Sequence, residues 1–329
     1  MIIPLTNSNE NAHDSNITFK KQLSTDEHHL VSIAVCTYNG ERFLSEQLDS
    51  LVRQTYSNKE IIVVDDCSTD NTIEILKEYA AKYPFLSYSR NEQNLGYVKN
   101  FEKVVGMCNG EYIALSDQDD IWEVNKIQLQ VSQIGNHALI YHDSICVDEK
   151  GNSLHKKLSD ICRLYEGHLP HPFLFFNCVS GHSILFHKRI LSDIIPFDVQ
   201  YFHDRWIAFI ASERGGIKLL PNALVKYRQH SSSSTDLLEI KKKKDDVQLK
   251  FFTKPALDWI IKCSNKTTLH KKYFEALIAC FKEDGKILKR RKLYSLLVFK
   301  SAEVLFVYKK SVLSKANYLR KMCFLSKYS

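Results

Sequence analysis

Short apolar runs alternate with helical patterns along the first third of the chain. Four predicted strands are rich in aliphatic and aromatic side chains, and they are residues 31–36, 61–64, 86–89 and 112–115. Between them, apolar residues recur every three or four positions, which predicts helices at residues 44–52, 71–83 and 97–108. Apolar strands that alternate with helices are typical of a mostly parallel sheet with helices on both faces. The pattern therefore predicts an α/β fold.

The pattern becomes less regular after residue 136. Further strands are predicted at residues 138–141, 182–187 and 223–228, and a helix at residues 204–214. A run of serines follows at residues 231–234, so we expect the compact body to span residues 30–236. Residues 1–29 are polar and lack the apolar segment of a secretory signal, so we expect a mobile lead-in.

Residues 237–329 predict a helical and strongly basic C-terminal extension. Residues 241–329 hold 23 Lys and Arg against 7 Asp and Glu, whereas the rest of the chain holds 22 and 31. An apolar face over residues 294–308 lies beside this charge, a combination that favours docking on an anionic membrane surface. A helical bundle packed on the body would explain the same pattern. The extension lacks a nucleic-acid recognition motif, so we expect no nucleic acid partner.

Cysteine usage bears on the cellular compartment. The chain has nine Cys, an odd number with no Cys-x-x-Cys pair, which argues against a disulfide framework and against a zinc site. No apolar run reaches the ~20 residues that a membrane-spanning helix needs. We therefore expect a cytoplasmic protein, attached peripherally to the inner leaflet of the plasma membrane if the extension docks there.

Three carboxylates follow the fourth predicted strand within four residues. Asp117, Asp119 and Asp120 come directly after residues 112–115. Two such charges ~5 Å apart repel by roughly 3 kcal/mol at an effective dielectric of ~20, so a compensating cation is expected. Mg²⁺ or Mn²⁺ suits carboxylate oxygens and often bridges to substrate phosphates. The alternative is a solvated acidic turn that also caps a helix.

Polar side chains also follow the first two strands. Thr37 and Asn39 come after the first strand, and Asp65 and Asp66 come after the second. Ligands of open parallel sheets bind outside the carboxyl ends of the strands, so these residues and the acidic run predict one crevice. The chain has neither the Gly-x-Gly-x-x-Gly fingerprint nor a Walker phosphate loop, which argues against a dinucleotide dehydrogenase and against a P-loop enzyme.

Several motifs occur in an order that resembles family 2 glycosyltransferases with the GT-A fold. They are Thr-Tyr-Asn-Gly at 37–40, Val-Asp-Asp-Cys-Ser-Thr-Asp at 64–70, Asn-Leu-Gly with Lys-Asn at 94–100, Asn-Gly-Glu-Tyr-Ile at 109–113 and Asp-Gln-Asp-Asp at 117–120. The resemblance covers roughly residues 30–235. It implies a GT-A domain with a nucleotide-sugar-binding half at residues 30–120 and an acceptor half at residues 121–236.

The resemblance also implies a reaction, in which a sugar moves from a nucleoside diphosphate to an acceptor hydroxyl with inversion. Residues expected to bind the nucleotide sugar are Thr37, Asn39, Asp65, Asp66, Lys99, Asp117 and Asp119. Residues expected near the divalent cation are Asp117, Asp119, Asp120 and His230, without a decision as to which carboxylate binds it directly. Lys99 stands where the family often has Arg, so it would meet a phosphate as a point charge.

The acceptor half is implied to supply the general base, Asp204, at the start of a predicted helix. A helix-capping role is the alternative and is compatible with the first. Gly181, His182 and His203 are expected on the acceptor side. Residues 203–206 and 227–230 further resemble a rhamnosyltransferase-like branch, which implies dTDP-rhamnose as the donor, with UDP-hexoses next.

The acceptor implied by the resemblance is a glycan or lipid-linked glycan of a surface polysaccharide, O-antigen or capsule. Two other functions remain open at this point. A sugar nucleotidyltransferase also uses an α/β sheet and metal-bound phosphates, but residues 37–41 lack a Gly- and Arg-rich activation loop. A nucleotide-sugar-binding scaffold without activity is the other, and the retained acids at Asp66, Asp117, Asp119 and Asp204 argue against it.

Overall fold

A single mixed sheet organises the body of the protein. The computed structural model describes residues 29–230, 254–282 and 287–324. The sheet has nine strands, of which eight follow the order β3-β2-β1-β4-β8-β6-β9-β5, and β7 pairs with the C-terminal end of β6. Its strands are β1 (Val31–Thr37), β2 (Lys59–Asp65), β3 (Leu86–Arg90), β4 (Tyr112–Ser116), β5 (Ile121–Trp122), β6 (Leu139–Val147), β7 (Ser153–Lys157), β8 (Leu185–His187) and β9 (Ile217–Arg228).

The first half has the alternation that the sequence predicts. Strands β1 to β4 pair in parallel, and the helices between them are α1 (Leu44–Val52), α2 (Thr72–Lys82) and α3 (Tyr97–Met107). Alternate residues of β1 point to opposite faces, so Ile33 enters one apolar core and Ala34 enters the other. The strands are therefore buried on both faces, which confirms the predicted α/β class.

The second half departs from the predicted elements in several places: β5 and β7 are not predicted, β9 begins at Ile217 and not at residue 223, and β8 and β6 have other bounds. The strand predicted at residues 182–187 begins only at Leu185, because Gly181–Ser183 forms a 3₁₀ turn in which Ser183 N–H donates to Ser180 O. Strand β6 extends well beyond the predicted residues 138–141, through polar residues that are buried. Asp143, for example, accepts hydrogen bonds from Ser144 N–H and from Ser159.

The remaining helices complete the fold. Helix α4 (Lys126–Ile134) precedes β6, the short helices α5 (Leu158–Ile161) and α6 (Leu191–Ile194) lie in loops, and α7 (His203–Arg214) matches the helix predicted at residues 204–214. The C-terminal region is helical, as predicted, with α8 (Lys254–Ser264), α9 (Lys271–Lys282), α10 (Ile287–Phe299), α11 (Ser301–Val304) and α12 (Val312–Phe324).

The described C-terminal helices share one apolar core with the body. Trp259 of α8 packs edge-on against Trp206 and Phe209 of α7, with ring centroids 5.9 and 6.3 Å away. The predicted amphipathic segment 294–308 is divided between α10 and α11, and it buries Leu297, Val304, Leu305 and Val307 in that core. The predicted linker at 231–234 and the boundary near Asp236 lie outside the described residues. Within the described ranges, no helix is long and apolar enough to cross a membrane.

Candidate active site

The polar residues predicted at the strand ends meet at one edge of the sheet. Thr37 lies opposite Asp65 in the β1–β2 register, and Val35 lies opposite Ser116 in the β1–β4 register. The loops that carry the Asn39, Asp66 and Asp117 side chains therefore begin side by side. This is the edge at which open α/β sheets bind their ligands.

Asp65 is fully buried and organises the loop that follows β2. Its carboxylate accepts hydrogen bonds from Thr37 Oγ1 at 3.0 Å, from Ser68 N–H at 2.9 Å and from the Ser68 hydroxyl. Arg90 Nε lies 3.6 Å away. These partners occupy both carboxylate oxygens, so Asp65 holds the loop after β2 from behind, and its contact with a nucleotide sugar stays a prediction.

Asp66 connects the end of β2 to the loop before α3. Its Oδ1 accepts from Asn91 Nδ2 and from Leu95 N–H, both at 2.8 Å, and its Oδ2 accepts from Gly96 N–H at 2.9 Å. Gly96 has a φ of +79°, a conformation that glycine adopts without strain. The carboxylate keeps spare acceptor capacity on Oδ2, and contact of Asp66 with a nucleobase stays a prediction.

Gln118, inside the acidic run, joins that run to the loop after β1. Its side chain accepts from Tyr38 N–H at 2.8 Å and donates to Tyr38 O at 3.0 Å, as a neighbouring strand would. A side chain at Gly40 would meet the terminal amide of Gln118 and would displace it from Tyr38. Asn39 Oδ1 accepts from Thr69 N–H at 2.8 Å and fixes the facing loop. Tyr38 is thereby held with its ring about half exposed beside the crevice.

Asp117, Asp120 and His182 form the tightest cluster of metal-type ligands in the described part of the chain. One ligand atom from each lies within 4.8 Å of the other two. Asp120 Oδ1 accepts from Arg228 N–H at 3.0 Å, whereas Asp120 Oδ2 has no hydrogen-bond partner among the described residues. His182 Nδ1 lies 3.6 Å from that oxygen, and His182 Nε2 contacts Ser144 Oγ at 2.8 Å.

Burial and mutual repulsion perturb the titration of this cluster. Burial, then the charges of Asp119 and Asp204, raises the pKa of Asp117 to about 7. Burial, then the charges of Asp119 and Asp117, holds the pKa of Asp120 well above its usual range. Burial lowers the pKa of His182 to about 3, so its imidazole is neutral and able to act as a ligand. A cation bound here would relieve the repulsion.

A buried lysine supports the cluster from behind. Lys126, at the start of α4, is fully buried, and its ammonium donates to His182 O at 2.7 Å. The same nitrogen lies 3.0 Å from the ring centroid of Trp122, a cation–π contact. Burial holds the pKa of Lys126 well below its usual range, although Asp120 and Asp117 act in the opposite direction. Lys126 is thus a buried basic group behind the acids.

Asp119 and His230 form a second, more open pair. His230 Nε2 lies 2.8 Å from Asp119 Oδ2, and the two side chains are 7% and 19% exposed. Arg228 fixes this pair, because its Nε donates to Asp119 O at 2.7 Å while its terminal nitrogens bond Glu149 O and the Glu46 carboxylate. The sequence predicts both members of this pair but gives no sign of the arginine that holds them.

Asp204 lies in the first turn of α7, on the opposite side of the acidic run. Its Oδ1 accepts from Arg205 N–H at 2.6 Å, and the Gly181 amide and the Asn177 side chain also bond it. Burial nevertheless raises the pKa of Asp204 to about 6. The charge of Asp204 contributes to the raised pKa of Asp117, and Gly181, whose amide bonds the Asp204 carboxylate, directly precedes His182 of the cluster. A carboxylate with this pKa is suited to general base catalysis near neutral pH.

Three other predicted site residues are His182, His203 and Lys99, and they have different surroundings. His182, predicted on the acceptor side, is part of the carboxylate cluster. His203 is buried beside Gly181, and burial lowers its pKa to about 3. Lys99 donates to Glu102 and to Phe197 O, both at 2.8 Å, and would have to leave these partners to reach a phosphate. Its role as a phosphate ligand stays a prediction.

The chain is similar in sequence to known glycosyltransferases. The model of glycosyl transferase family 2 matches residues 32–194. A Haemophilus influenzae protein named as an uncharacterized glycosyltransferase is 29% identical over 219 residues, which are 63% of this chain and 68% of that protein. An Escherichia coli UDP-Glc:alpha-D-GlcNAc-diphosphoundecaprenol beta-1,3-glucosyltransferase, WfgD, is 34% identical over 127 residues, which are 36% of this chain and 49% of that protein.

A solved structure shares the fold. TarS of S. aureus, residues 1–349 in complex with UDP-GlcNAc, superposes with a TM-score of 0.56 at 18% identity, covering 84% of this chain and 81% of that chain. The curled sheet, mostly parallel in its first half, and the helical C-terminal region match a GT-A architecture. These findings do not favour a nucleotidyltransferase or an inactive scaffold, and they show no specific likeness to the rhamnosyl branch. The chain belongs to glycosyltransferase family 2 and has the GT-A fold.

Proposed function

We propose that this glycosyltransferase moves a sugar from a nucleoside diphosphate to an acceptor hydroxyl with inversion, and that Asp204 is the general base. The observation that carries the proposal is the link between Asp204 and the acidic cluster: the Gly181 amide bonds the Asp204 carboxylate, and the next residue, His182, lies with Asp117 and Asp120. In this arrangement Asp204 would lie on one side of the donor sugar, and the carboxylates that receive the diphosphate would lie on the other side. The sugar of the donor would lie between them.

Transfer is a single displacement, in which Asp204 acts on the acceptor hydroxyl while the donor loses its nucleoside diphosphate. With a pKa of about 6, most Asp204 side chains are ionised near neutral pH, so Asp204 can accept the proton of the acceptor hydroxyl. The acceptor oxygen then forms its bond to the anomeric carbon as the bond to the diphosphate oxygen breaks. The Gly181 and Arg205 amides keep the Asp204 carboxylate directed during the transfer.

A pyrimidine donor, UDP- or dTDP-linked, fits the nucleotide side best. Asp66 carries an acceptor oxygen that could meet the N3–H of uracil or thymine, with Thr37 and Asn39 on the neighbouring loop. The E. coli relative is named for UDP-Glc, and the S. aureus structure holds UDP-GlcNAc. These likenesses support a UDP-hexose at least as well as dTDP-rhamnose, which the branch resemblance suggested.

Two groups of side chains could hold a divalent cation. The cluster of Asp117, Asp120 and His182 has suitable ligand types and one unpartnered oxygen, but two of its members are almost fully buried. Asp119 and His230 are partly exposed, as is required of a site whose ion keeps waters and substrate phosphates. We assign the ion to Asp119 and His230, with Asp117 beside them. When bound, it would stabilise negative charge on the departing diphosphate.

Metal binding can be tested without turnover. Titration of Mn²⁺ followed by electron paramagnetic resonance, with UDP present, should give a site that Asp119→Asn and His230→Ala weaken at least tenfold. His182→Asn is the matched comparison within the neighbouring cluster. If only the His182 variant loses the ion, the buried cluster is the metal site and the assignment is wrong.

We further propose a glycan or lipid-linked glycan acceptor of a surface polysaccharide, reached at an anionic membrane. The described extension exposes apolar side chains that include Leu288, Val312 and Leu313, among many Lys and Arg. The full chain should float with phosphatidylglycerol vesicles and remain unbound to phosphatidylcholine vesicles. Equal behaviour with the two vesicles would contradict membrane docking.

The reaction itself is tested with a donor panel. Purified full-length protein is mixed with UDP-, dTDP- and GDP-sugars and Mn²⁺ or Mg²⁺, and release of the nucleoside diphosphate is measured. At least one pyrimidine donor should be consumed, and Asp204→Asn should reduce that rate by a factor of at least ~100. Wild-type turnover in the Asp204 variant would overturn the assignment of the base.

A further inference from the structure

Two exposed aromatic rings stand beside the proposed catalytic base, and none of the roles assigned so far uses them. Tyr97, the first residue of α3, is 44% exposed, and Phe202, two residues before Asp204, is 52% exposed. Their ring centroids lie 6.5 Å apart with 36° between the planes. Exposed aromatic surface beside a polar centre usually marks a surface that a ligand covers.

The two rings rest on a packed layer. His203 stacks on Phe101 at a centroid distance of 4.4 Å, and Phe197 lies 5.8 Å from the same imidazole. Tyr97 contacts the other side of His203 at 6.0 Å. Because the layer beneath is buried, the exposed rings have little freedom to fold away, and their faces are presented in a fixed arrangement.

This aromatic pair lies at the reacting end of the crevice. The Tyr97 ring contacts Phe202 and His203, the two residues that directly precede Asp204 in the chain. The nucleobase is accounted for elsewhere, at Thr37 and Asp66. The surface that binds the acceptor, whose hydroxyl group must reach Asp204, has not yet been assigned.

A buried polar group faces the same space. Both ring nitrogens of His203 lack a hydrogen-bond partner in the described part of the chain, although the side chain is 7% exposed. A Cβ placed on Gly181 would lie 3.5 Å from His203 Nε2 and within 4 Å of no other described atom. His203 Nε2 is itself buried, and the missing side chain at Gly181 leaves only a small gap beside it, so a hydroxyl group would reach this nitrogen after a small local shift.

We propose that Tyr97 and Phe202 form an acceptor platform, on which a pyranose ring of the acceptor packs its C–H face while His203 Nε2 meets one of its hydroxyls. This inference rests on the proposed transfer to a glycan. A pyranose suits the surface because it has an apolar face for the aromatic rings and a rim of hydroxyls for the imidazole and the Asp204 carboxylate. Few precisely placed polar groups on an aromatic floor are typical of small-ligand sites.

Saturation-transfer NMR tests the platform directly. The full chain is mixed with UDP, Mg²⁺ and, in turn, the methyl glycosides of glucose, galactose, N-acetylglucosamine and rhamnose, while the aromatic protons are irradiated. Saturation should reach the ring C–H protons of at least one glycoside. Tyr97→Ala and Phe202→Ala should weaken its binding about tenfold, which corresponds to ~1.4 kcal/mol. Tyr97→Phe should restore binding, because the ring and not the hydroxyl makes the contact.

A matched control and a kinetic measurement complete the test. Phe299→Ala removes a still more exposed ring far along the chain, at the end of α10, and should not alter the saturation pattern. In transfer assays with the bound glycoside, Phe202→Ala should raise the KM for the acceptor about tenfold and the KM for the donor much less.

The outcomes separate this inference from the proposed function. If no glycoside binds the wild type, or if the alanine variants bind it as the wild type does, the platform is wrong whether or not a donor is consumed. If a glycoside binds through Tyr97 and Phe202 but no nucleotide sugar is consumed, the platform stands and the proposed transfer fails.

Discussion

Replacing the proposed base should make the protein more stable while stopping its reaction. Burial raises the pKa of Asp204 from 3.8 to about 6. At 1.36 kcal/mol for each pH unit, ionised Asp204 costs the folded state about 3 kcal/mol near neutral pH. Asp204→Asn removes that charge, but its amide must replace a carboxylate that accepts from Arg205 and Gly181. We therefore expect a net gain of about 1 to 3 kcal/mol in the free energy of unfolding.

The sign of this effect depends on pH. Below the unfolded-state pKa near 3.8, both states hold the Asp204 proton, and the variant has no advantage. Between that pH and about 6, only the unfolded state loses the proton, so the stability contributed by protonated Asp204 is progressively lost. Above about 6 the difference is complete and constant. The advantage of Asp204→Asn should therefore appear between these two pH values.

Urea unfolding of the wild type and the variant, at about pH 4.5 and about pH 7, measures the effect. Asp193→Asn is a useful control, because hydrogen bonds from Arg214 and Lys266 lower the pKa of Asp193 and its loss should destabilise the fold. The reasoning is refuted if Asp204→Asn is less stable than the wild type near neutral pH, or if its advantage is the same at both pH values.

Three other predictions follow from the same structure. The kcat/KM for transfer should rise with pH and level off above about 6, as Asp204 ionises, and a flat profile from pH 5 to 7 would contradict its role. Trp259→Ala should lower the free energy of unfolding by about 3 to 5 kcal/mol in a single transition, whereas two separate transitions would show that the C-terminal helices unfold independently. Arg228→Lys should weaken Mn²⁺ binding about 10- to 100-fold, because it loses the fork that holds Asp119 O, and Arg42→Lys, an exposed arginine paired with Glu149, should not.

Local pattern was sufficient for the first half of the fold. The predicted strands at 31–36 and 112–115 match β1 and β4 closely, because each is a continuous apolar run buried on both faces. The pattern failed where burial and polarity disagree. Strand β6 continues through His142, Asp143 and Ser144, whose side chains are buried. Because these residues are polar, the sequence alone does not predict a strand there.

The functional site shows the same division between residues that the sequence indicates and residues whose role only the fold reveals. The order of motifs along the chain was enough to select Asp66, Asp117, Asp119 and Asp204 as candidates. It gave no sign of Lys126 behind the acids, nor of Arg228, whose side chain bonds residues far away along the chain. A basic residue has no local signature for such a role, since the same residue type is ordinarily solvated. Gln118 was inside a recognised motif, but only its contact with Tyr38 shows what it does.

The sequence by itself determined that the protein is an α/β glycosyltransferase with acids at the ends of its strands, because strand period and motif order are local properties. Only the tertiary structure decided which of these acids are buried together, and that Asp119 pairs with His230 while Asp120 lies beside His182. The same packing unites the described C-terminal helices with α7 and exposes Tyr97 and Phe202 beside Asp204. Such properties depend on contacts between residues distant in the chain, which set burial, pKa and access to solvent.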